Sequence, residues 1–208
     1  MCDKNITIGE DSNYSCWEKK STTRDEREII DYLKENRHII KDKKILHVGI
    51  GNTEFGKIFS KDVTFIDGLT ISVPEKRLGL KNKCYRNIHI CNKYNMNDMN
   101  NFILDNKYDI ILDQGIKCYT CCYEHFLDLI SFYKNHLEDD GKIIISKHGM
   151  SWSGFDLKTA INMSSVNRIC YKTNRNKSNQ FLDSELNDLS KKYNFKINKI
   201  VSIVILNF

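Results

Sequence analysis

The sequence predicts an α/β protein with a wound, mostly parallel sheet and helices on both faces. Short apolar segments recur along the chain, longer amphipathic segments separate them, and glycine or acidic residues directly follow several of the apolar segments. This alternation is typical of parallel sheets, because each crossover between parallel strands needs a connection long enough for a helix. A chain of 208 residues can bury a real core, so a single domain over residues 1–208 is expected.

The composition excludes several classes of protein. Hydrophobic residues make up 40% of the chain and charged residues 28%, as in ordinary soluble proteins. The sequence contains no apolar run of about 18 residues that could span a membrane, and its polar N-terminus lacks the apolar core of a secretory signal. We therefore expect a cytoplasmic protein whose eight cysteines are reduced thiols. The net charge of +5 is too small to indicate nucleic-acid binding by itself.

The first half of the chain begins with residues 1–22, which show no period and are expected to form an N-terminal arm. Thr22 or Thr23 can cap the helix that follows, because a threonine hydroxyl accepts a hydrogen bond from a backbone N–H of the first turn. The next expected elements are a strand at 44–48, a helix at 54–59, a short strand at 63–66, a helix starting at Ser72 with Pro74 in its first turn, and a strand at 85–90.

The second half continues the alternation. The expected elements are a helix at 97–104, a strand at 109–112, an amphipathic helix at 119–137, a turn at 139–141, a strand at 142–146, a helix at 184–193 and C-terminal strands. Residues 147–180 are polar and weakly patterned. We interpret them as a substrate-side insertion or lid.

The segment KILHVGIGNTEFG, residues 44–56, places an apolar strand directly before Gly49 and Gly51. Glycine permits dihedral angles and a close backbone approach that a Cβ would forbid. Asp67 is expected to end the second strand, where its carboxylate can accept hydrogen bonds from the hydroxyls of a ribose. A glycine turn together with an acidic strand end predicts a nucleoside ligand.

The residues after the turn narrow the choice of ligand. A dinucleotide fingerprint requires a third glycine where this chain has Glu54, and a glutamate there would repel a pyrophosphate. A P-loop is excluded, because no Gly-Lys-Ser/Thr follows. An adenosyl ligand without phosphates and with a cationic sulfonium suits this turn better.

Several motifs in this order resemble those of the class I S-adenosylmethionine (SAM)-dependent methyltransferases, which have a Rossmann-like fold. KILHVGIGNTEFG resembles the first motif of that family, FIDG the acidic second strand, and HICN at 89–92 the segment beside the adenine. YDIILDQG resembles the fourth-strand motif, and LEDDGKIIIS resembles the fifth strand with its preceding turn. The resemblance covers about residues 25–146.

The resemblance implies SAM as the cofactor. The residues that it assigns to SAM binding are His47, Gly49, Gly51, Asn52, Asp67, Gly68, Asn92 and Asp113. Two of them depart from the family pattern, since His47 stands where the family usually has Asp or Glu, and Asn92 replaces an acid. His47 can act as a neutral acceptor for the methionine end of SAM, or it can be an ordinary satisfied histidine.

Three residues are candidates for catalysis. Asp113, after the fourth strand, can orient the acceptor, take its proton, or simply cap the following turn. His148 can act as a general base near neutral pH. Lys147 and Asp113 together resemble part of the Lys-Asp-Lys-Glu set of RNA ribose methyltransferases.

Two further groups of residues allow a functional and a plainer interpretation. Cys118, Cys121, Cys122 and His125 contain metal-binding side chains, but helical spacing favours small apolar packing, and we assign no metal site. Aromatic and basic side chains could meet a base and phosphate, or form a solvated loop and a small satellite cluster. They are Trp152, Phe155, Lys172, Arg175 and Lys177 in the lid, and Tyr14 and Trp17 in the arm.

The function expected from the sequence is methyl transfer from SAM to a small molecule. The alternatives are an RNA methyltransferase, a SAM- or nucleoside-binding module without catalysis, and an NAD-dependent oxidoreductase, which Glu54 disfavours. The sequence assigns neither the methyl acceptor nor an oligomeric state.

Overall fold

The computed structural model describes residues 21–103, 106–117, 123–147 and 182–208. The expectations for the arm at 1–20, for the cysteines at 118–122 and for most of the lid at 147–180 fall outside these residues. Among the described residues, no helix is long and apolar enough to cross a membrane.

The described residues form one seven-stranded sheet. The strands are β1 (Lys44–Val48), β2 (Phe65–Thr70), β3 (Asn87–Ile90), β4 (Tyr108–Leu112), β5 (Leu137–Ser146), β6 (Lys196–Ile200) and β7 (Ile203–Asn207). Their order is β3-β2-β1-β4-β5-β7-β6. The first five strands run parallel, and β7 is antiparallel to both of its neighbours. The prediction of a wound, mostly parallel sheet is confirmed.

The described residues contain six α-helices, of which the first precedes β1 and the other five lie between consecutive strands from β1 to β6. They are α1 (Arg24–Glu35), α2 (Glu54–Phe59), α3 (Val73–Asn82), α4 (Met96–Ile103), α5 (Tyr123–Asn135) and α6 (Asp183–Tyr193). Two predicted helix starts are confirmed. The Thr23 hydroxyl accepts the N–H of Glu26 at 3.3 Å, and the Ser72 hydroxyl accepts the N–H of Glu75 at 3.4 Å.

The core consists of two hydrophobic clusters, one on each face of the sheet. Residues of α4, α5 and α6 pack on one face, including Met99, Phe126 and Leu186. Residues of α1 and α2 pack on the other face, including Ile29 and Phe55. Because side chains of a strand alternate between faces, β1 supplies both clusters. The prediction of helices on both faces is confirmed.

Two strand boundaries differ from the predictions by more than two residues. β2 does not end at residue 66 but continues through Asp67 and Gly68 to Thr70, because its backbone keeps pairing with β1 as far as Leu69. β5 begins at Leu137, where a free turn at 139–141 was expected. The partner of Leu137 is Tyr108 and the partner of Lys142 is Ile110, so the intervening residues form a bulge within the strand.

Candidate functional site

The carboxyl ends of β1, β2, β3 and β4 lie along one edge of the sheet, and the loops after them form the candidate site. β1 pairs with β2 on one side and with β4 on the other, so the connections leaving this region diverge there. Ligands of wound parallel sheets bind at such a switch point, outside the carboxyl ends of the strands.

The glycine turn follows β1 at this switch point. Gly49 has φ +77° and Gly51 has φ +50°, which are conformations that residues with a Cβ rarely adopt. The Gly49 N–H donates to the carbonyl oxygen of Leu69 at 2.7 Å, which fixes the turn against the end of β2. A Cβ added to Gly49 would find no atom of the described structure within 4 Å. The turn therefore borders open space.

Asn52 and Thr53 build the second half of the turn. The Asn52 carboxamide oxygen accepts the N–H of Glu54 at 3.1 Å, and its Nδ2 donates to the Thr22 hydroxyl at 3.1 Å. Thr53 is buried with φ +66°, and its hydroxyl accepts a hydrogen bond from Asn82 at 2.7 Å. The Asn52 side chain, predicted to bind the cofactor, thus makes bonds that shape the turn and start α2.

His47 is a buried, neutral side chain beneath the turn. Its Nδ1 lies 2.9 Å from the Tyr85 hydroxyl, and its ring packs 4.8 Å from the Phe55 ring. Burial lowers the pKa of His47 to about 3, so the imidazole has no charge at physiological pH. The sheet face on which it packs is covered by α1 and α2.

The carboxylate beside the turn is Glu26, in the first turn of α1. It is 4% exposed, and its Oε2 would lie 3.9 Å from a Cβ added to Gly51. The Phe55 N–H donates to this carboxylate, while Oε1 has no hydrogen-bond partner among the described residues. Burial, with a further contribution from Glu75 and then Glu54, raises the pKa of Glu26 to about 8. Glu26, Glu75 and Glu54 therefore make the surroundings of the glycine turn acidic.

Asp67, the predicted ribose ligand, does not lie at the end of β2. It pairs with Leu46 in the middle of β1, and its carboxylate is buried. Arg86 forms a two-pronged ion pair with it, through Nε at 3.0 Å and through a second short contact of Nη2. The Tyr108 hydroxyl also donates to it at 2.9 Å. The predicted position was wrong because β2 is four residues longer at its carboxyl end.

Gly68 is also an interior residue of β2. A Cβ there would lie 3.0 Å from Ile50 Cγ2 and 3.1 Å from Tyr85 Cδ1. These contacts explain the glycine through packing, so its predicted place at a strand end was wrong as well.

Thr70 and Glu75 occupy the true end of β2. The Thr70 hydroxyl donates to Glu75 Oε2 at 2.5 Å and accepts the N–H of Ser72 at 3.0 Å. Glu75 is buried in the first turn of α3. Ser72 and Glu75 have the spacing of a capping box, which is the sequence signal that could have located this carboxylate.

Asn92 lies just beyond the carboxyl end of β3. Its carboxamide oxygen accepts the N–H of Tyr94 at 3.0 Å, and the preceding Cys91 N–H donates to the Thr70 carbonyl at 2.9 Å. Asn92 is buried at the edge of the candidate site, next to the end of β2.

Asp113 follows β4 and is held in a buried ion pair. Lys93 Nζ lies 2.9 Å from both of its carboxylate oxygens and also donates to the Gly115 carbonyl at 2.6 Å. The Tyr133 hydroxyl donates to Asp113 Oδ2 at 2.8 Å. Lys93, Asp113 and Tyr133 are all buried. A carboxylate with these partners serves to fix the loops after β3 and β4, and sequence analysis missed both of its partners.

Two other side chains were candidates next to Asp113. Lys147 does not contact it, because the Lys147 ammonium lies 3.3 Å from Asp183 at the start of α6. The catalytic role of Lys147 that the resemblance implied stays a prediction. His148 lies outside the described residues. Gln114, which the sequence analysis did not select, is buried, and its Oε1 has no partner within the described ranges.

No protein-family model matches the chain, and no curated protein matches it. The N-methyltransferase NodS from Bradyrhizobium japonicum, in complex with S-adenosyl-L-homocysteine (SAH), aligns at a TM-score of 0.61 with 11% identity. The alignment covers 95% of this chain and 98% of NodS.

Two further solved methyltransferase structures also align with most of this chain. The magnesium protoporphyrin IX methyltransferase ChlM from Synechocystis, with bound SAM, aligns at a TM-score of 0.54 with 10% identity, covering 87% of this chain and 76% of ChlM. An O-methyltransferase family protein from Burkholderia thailandensis aligns at 0.57 with 9% identity, covering 87% of this chain and 55% of that protein.

The chain has the class I methyltransferase fold. The resemblance expected from the order of the sequence motifs is confirmed at the level of the fold. In this chain the methyltransferase fold places Glu26, Glu75 and Lys93 at the carboxyl edge of the sheet. Nothing in the spacing of these residues along the chain marks Glu26 or Lys93 as belonging there.

Proposed function

We propose that this protein is a SAM-dependent methyltransferase that acts on a small-molecule acceptor. The main support is the buried Glu26 Oε1 beside the glycine turn, which has no hydrogen-bond partner among the residues that the structure describes. A buried acidic group without a partner is costly unless a ligand pairs with it. A cationic ligand in the open space next to Gly49 would supply that partner.

The charge around the turn favours SAM over a dinucleotide. Glu75 and Glu54 each act electrostatically on Glu26 beside the turn. A cationic ligand beside these groups favours the ionised form of the Glu26 carboxyl and is attracted by it, whereas a pyrophosphate is repelled by acidic side chains. Glu26 and Glu75 add to the repulsion that Glu54 alone was expected to exert on a pyrophosphate. An NAD-dependent oxidoreductase is therefore further disfavoured.

Each element of the edge has a role in this proposal. Gly49 and Gly51 admit the ligand close to the backbone, and Glu26 pairs with the ammonium of its methionine end. Glu75, which accepts a hydrogen bond from Thr70 at the end of β2, binds the ribose hydroxyls that were expected to bind Asp67. Asn92 lies on the adenine side of the ligand. When bound, SAM supplies an already activated methyl group, so the chain has mainly to align the acceptor.

Asp113 and Gln114 act on the acceptor side in this proposal. The Asp113 carboxylate accepts three hydrogen bonds, two from the Lys93 ammonium and one from the Tyr133 hydroxyl, so it positions the loop and leaves proton removal to another group. The Gln114 Oε1 can accept a hydrogen bond from an N–H or O–H of the acceptor and so orient its nucleophile. His148 remains a predicted general base.

Small molecules are favoured over RNA as acceptors. The name of ChlM specifies a magnesium porphyrin as its acceptor, and its fold matches this one. The basic residues 172–177 that suggested RNA lie outside the described residues. The net charge of +5 adds little support for a polyanionic partner.

A SAM-binding module without catalysis is the second candidate. The buried Lys93–Asp113 pair favours it, because the strand-end carboxylate after β4 already has its partners. The methyltransferase and the non-catalytic module would both bind SAM, and only the methyltransferase would transfer its methyl group.

The test measures thermal unfolding with saturating SAM, SAH, NAD or ATP. A ligand at 100 times its dissociation constant adds about 2.7 kcal/mol, which should raise Tm by roughly 5–10 °C for a chain of this size. We expect shifts with SAM and SAH and none with NAD or ATP. No shift with SAM or SAH would reject both candidates.

A second assay separates the two candidates. SAH formation is followed with SAM and either a pool of small metabolites or total RNA. Release of SAH with the metabolite pool supports the methyltransferase, release with RNA alone selects the RNA alternative, and binding without release selects the non-catalytic module.

A further inference from the structure

Three side chains with metal-binding atoms meet at β3, an edge strand of the sheet. His89 is in β3, Cys91 directly follows this strand, and Asp98 is in the first turn of α4. One ligand atom from each lies within 4.8 Å of the other two.

The backbone explains why these three residues meet. His89 and Cys91 are two residues apart along an extended segment, so their side chains point to the same face of the sheet. The chain then turns through Tyr94 and Asn95 into α4, whose first turn lies over that face. His89 Nε2 and Asp98 Oδ1 are 2.9 Å apart as a result.

The imidazole is held in a fixed orientation. The His89 ring stacks on Phe102 with a centroid distance of 4.9 Å and an interplanar angle of 10°. Phe102 is one helical turn beyond Asp98 in α4. The same helix therefore supplies one ligand atom and the surface that orients another.

We propose that His89, Cys91 and Asp98 bind a zinc ion that links β3 to α4. Zinc accepts thiolate, imidazole and carboxylate ligands together in a tetrahedral shell, and water can fill the fourth position. The sulfur ligand selects zinc over magnesium and calcium, which prefer all-oxygen sites.

Exposure and burial are consistent with such a site. The side chains of His89 and Asp98 are about one third exposed, at 32% and 37%, which gives an ion and its water a path from solvent. Cys91 is buried, and its thiol would lose its proton on binding zinc, because the thiolate is the form that binds the metal.

The location of this site has a consequence for the neighbouring loop. Cys91 immediately precedes Asn92 and Lys93, and its N–H donates to the end of β2. A metal ion on the Cys91 sulfur would fix the turn that positions the partner of Asp113. This inference is independent of the proposed function, since it depends on the geometry of β3 and α4 alone.

The test uses the full chain, freed of metal with a chelator and titrated with Co²⁺ as a spectroscopic probe and Zn²⁺ as a competitor. Wild type should develop a thiolate-to-cobalt charge-transfer band that Zn²⁺ removes, and Zn²⁺ should raise its Tm. Cys84→Ser is the matched control, because Cys84 is the other buried free thiol among the described residues. It should retain the band.

Cys91→Ser should abolish the band, and Asp98→Asn should weaken Co²⁺ binding at least tenfold. Asp98 is partly exposed, so its variant tests the site even where loss of the buried thiol perturbs folding. Wild type without a band would overturn the proposal. So would an unchanged band in both Cys91→Ser and Asp98→Asn, because the metal would then be bound by other cysteines, such as those at 118–122.

Discussion

At the scale of single residues, the charge of the site comes from a helix and not from the first strand. His47 occupies the position before the glycine turn where the resemblance leads one to expect an acid, and burial keeps it neutral. Glu26 reaches the turn from α1 instead. The burial of Glu26 has a measurable cost, because its pKa in the folded protein is raised to about 8.

The first prediction concerns Glu26→Gln in the absence of ligand. Between pH 4.5 and about 8 the folded chain holds a proton on Glu26 that the unfolded chain has released, so this group makes stability fall as pH rises. The glutamine of the variant does not titrate, so its stability does not fall with pH for this reason. It should be more stable than wild type at and above pH 8, by up to a few kcal/mol, and should match wild type below pH 4.5.

Urea unfolding over a pH series measures this effect, and SAM affinity is measured by calorimetry. The affinity of Glu26→Gln should fall at least tenfold, although the variant is more stable. Glu35→Gln, on the exposed end of the same helix, is the control and should change neither quantity. A Glu26→Gln variant that is less stable than wild type at high pH would contradict the assignment.

The second prediction concerns Asp67→Asn. The variant keeps the shape of the side chain but weakens its bonds to Arg86, Asn87 and Tyr108. It should lower the free energy of unfolding by about 1–3 kcal/mol and leave SAM affinity within about threefold. Asp62→Asn, which breaks the more exposed pair with Arg37, should cost about 0–1 kcal/mol. A large loss of affinity with unchanged stability would restore Asp67 to the site.

At the scale of secondary-structure elements, the Lys93–Asp113 pair links the turn after β3 to the turn after β4. Tyr133 of α5 joins the same carboxylate, so three separate segments meet at one group. A buried charge that loses its partner is strongly destabilising, whereas removal of both charges is tolerated much better.

The third prediction follows from this asymmetry. Lys93→Met should destabilise the fold by about 3–5 kcal/mol, because Asp113 remains buried without a counterion. The double variant Lys93→Met/Asp113→Asn should be less destabilised than the sum of the single variants, with a coupling of about 0.5–3 kcal/mol. Chemical denaturation of the four proteins gives this cycle. Strict additivity would show that the pair does not act as a unit.

At the scale of the whole molecule, β7 makes the two faces of the sheet interdependent. It runs antiparallel between β5 and β6, and its residues alternate between the two hydrophobic clusters. Leu206 belongs to the cluster under α4, α5 and α6, and Ile205 belongs to the cluster under α1 and α2. Neither cluster is complete without this last strand.

The fourth prediction is that the described sheet unfolds as one cooperative unit. Leu206→Ala and Ile205→Ala should each destabilise it by about 2–5 kcal/mol and shift the same transition. The exposed Asn198→Ala is the control and should stay within about 0.5 kcal/mol of wild type. Far-UV circular dichroism and tyrosine fluorescence should give coincident urea curves. Separate transitions in one of the core variants would mean that the faces unfold independently.

Local pattern was sufficient to predict the fold. The alternation of short apolar segments with amphipathic ones specified a wound parallel sheet, because strand and helix periods depend on neighbouring residues alone. The caps at Thr23 and Ser72 were predicted for the same reason. The end of β2 was not predicted correctly. Gly68 and Thr70 interrupt the apolar run of the sequence, while the backbone continues to pair with β1 and β3.

The glycine turn was likewise determined by the sequence, because Gly49 and Gly51 make its positive φ angles accessible. The side chains around the turn were decided by the tertiary structure. Glu26 meets Gly51, Arg86 meets Asp67 and Lys93 meets Asp113 through the register of the strands and the packing of α1 on the sheet. A shift of one residue in that register would turn each strand side chain to the opposite face, and no local pattern in the sequence reports it.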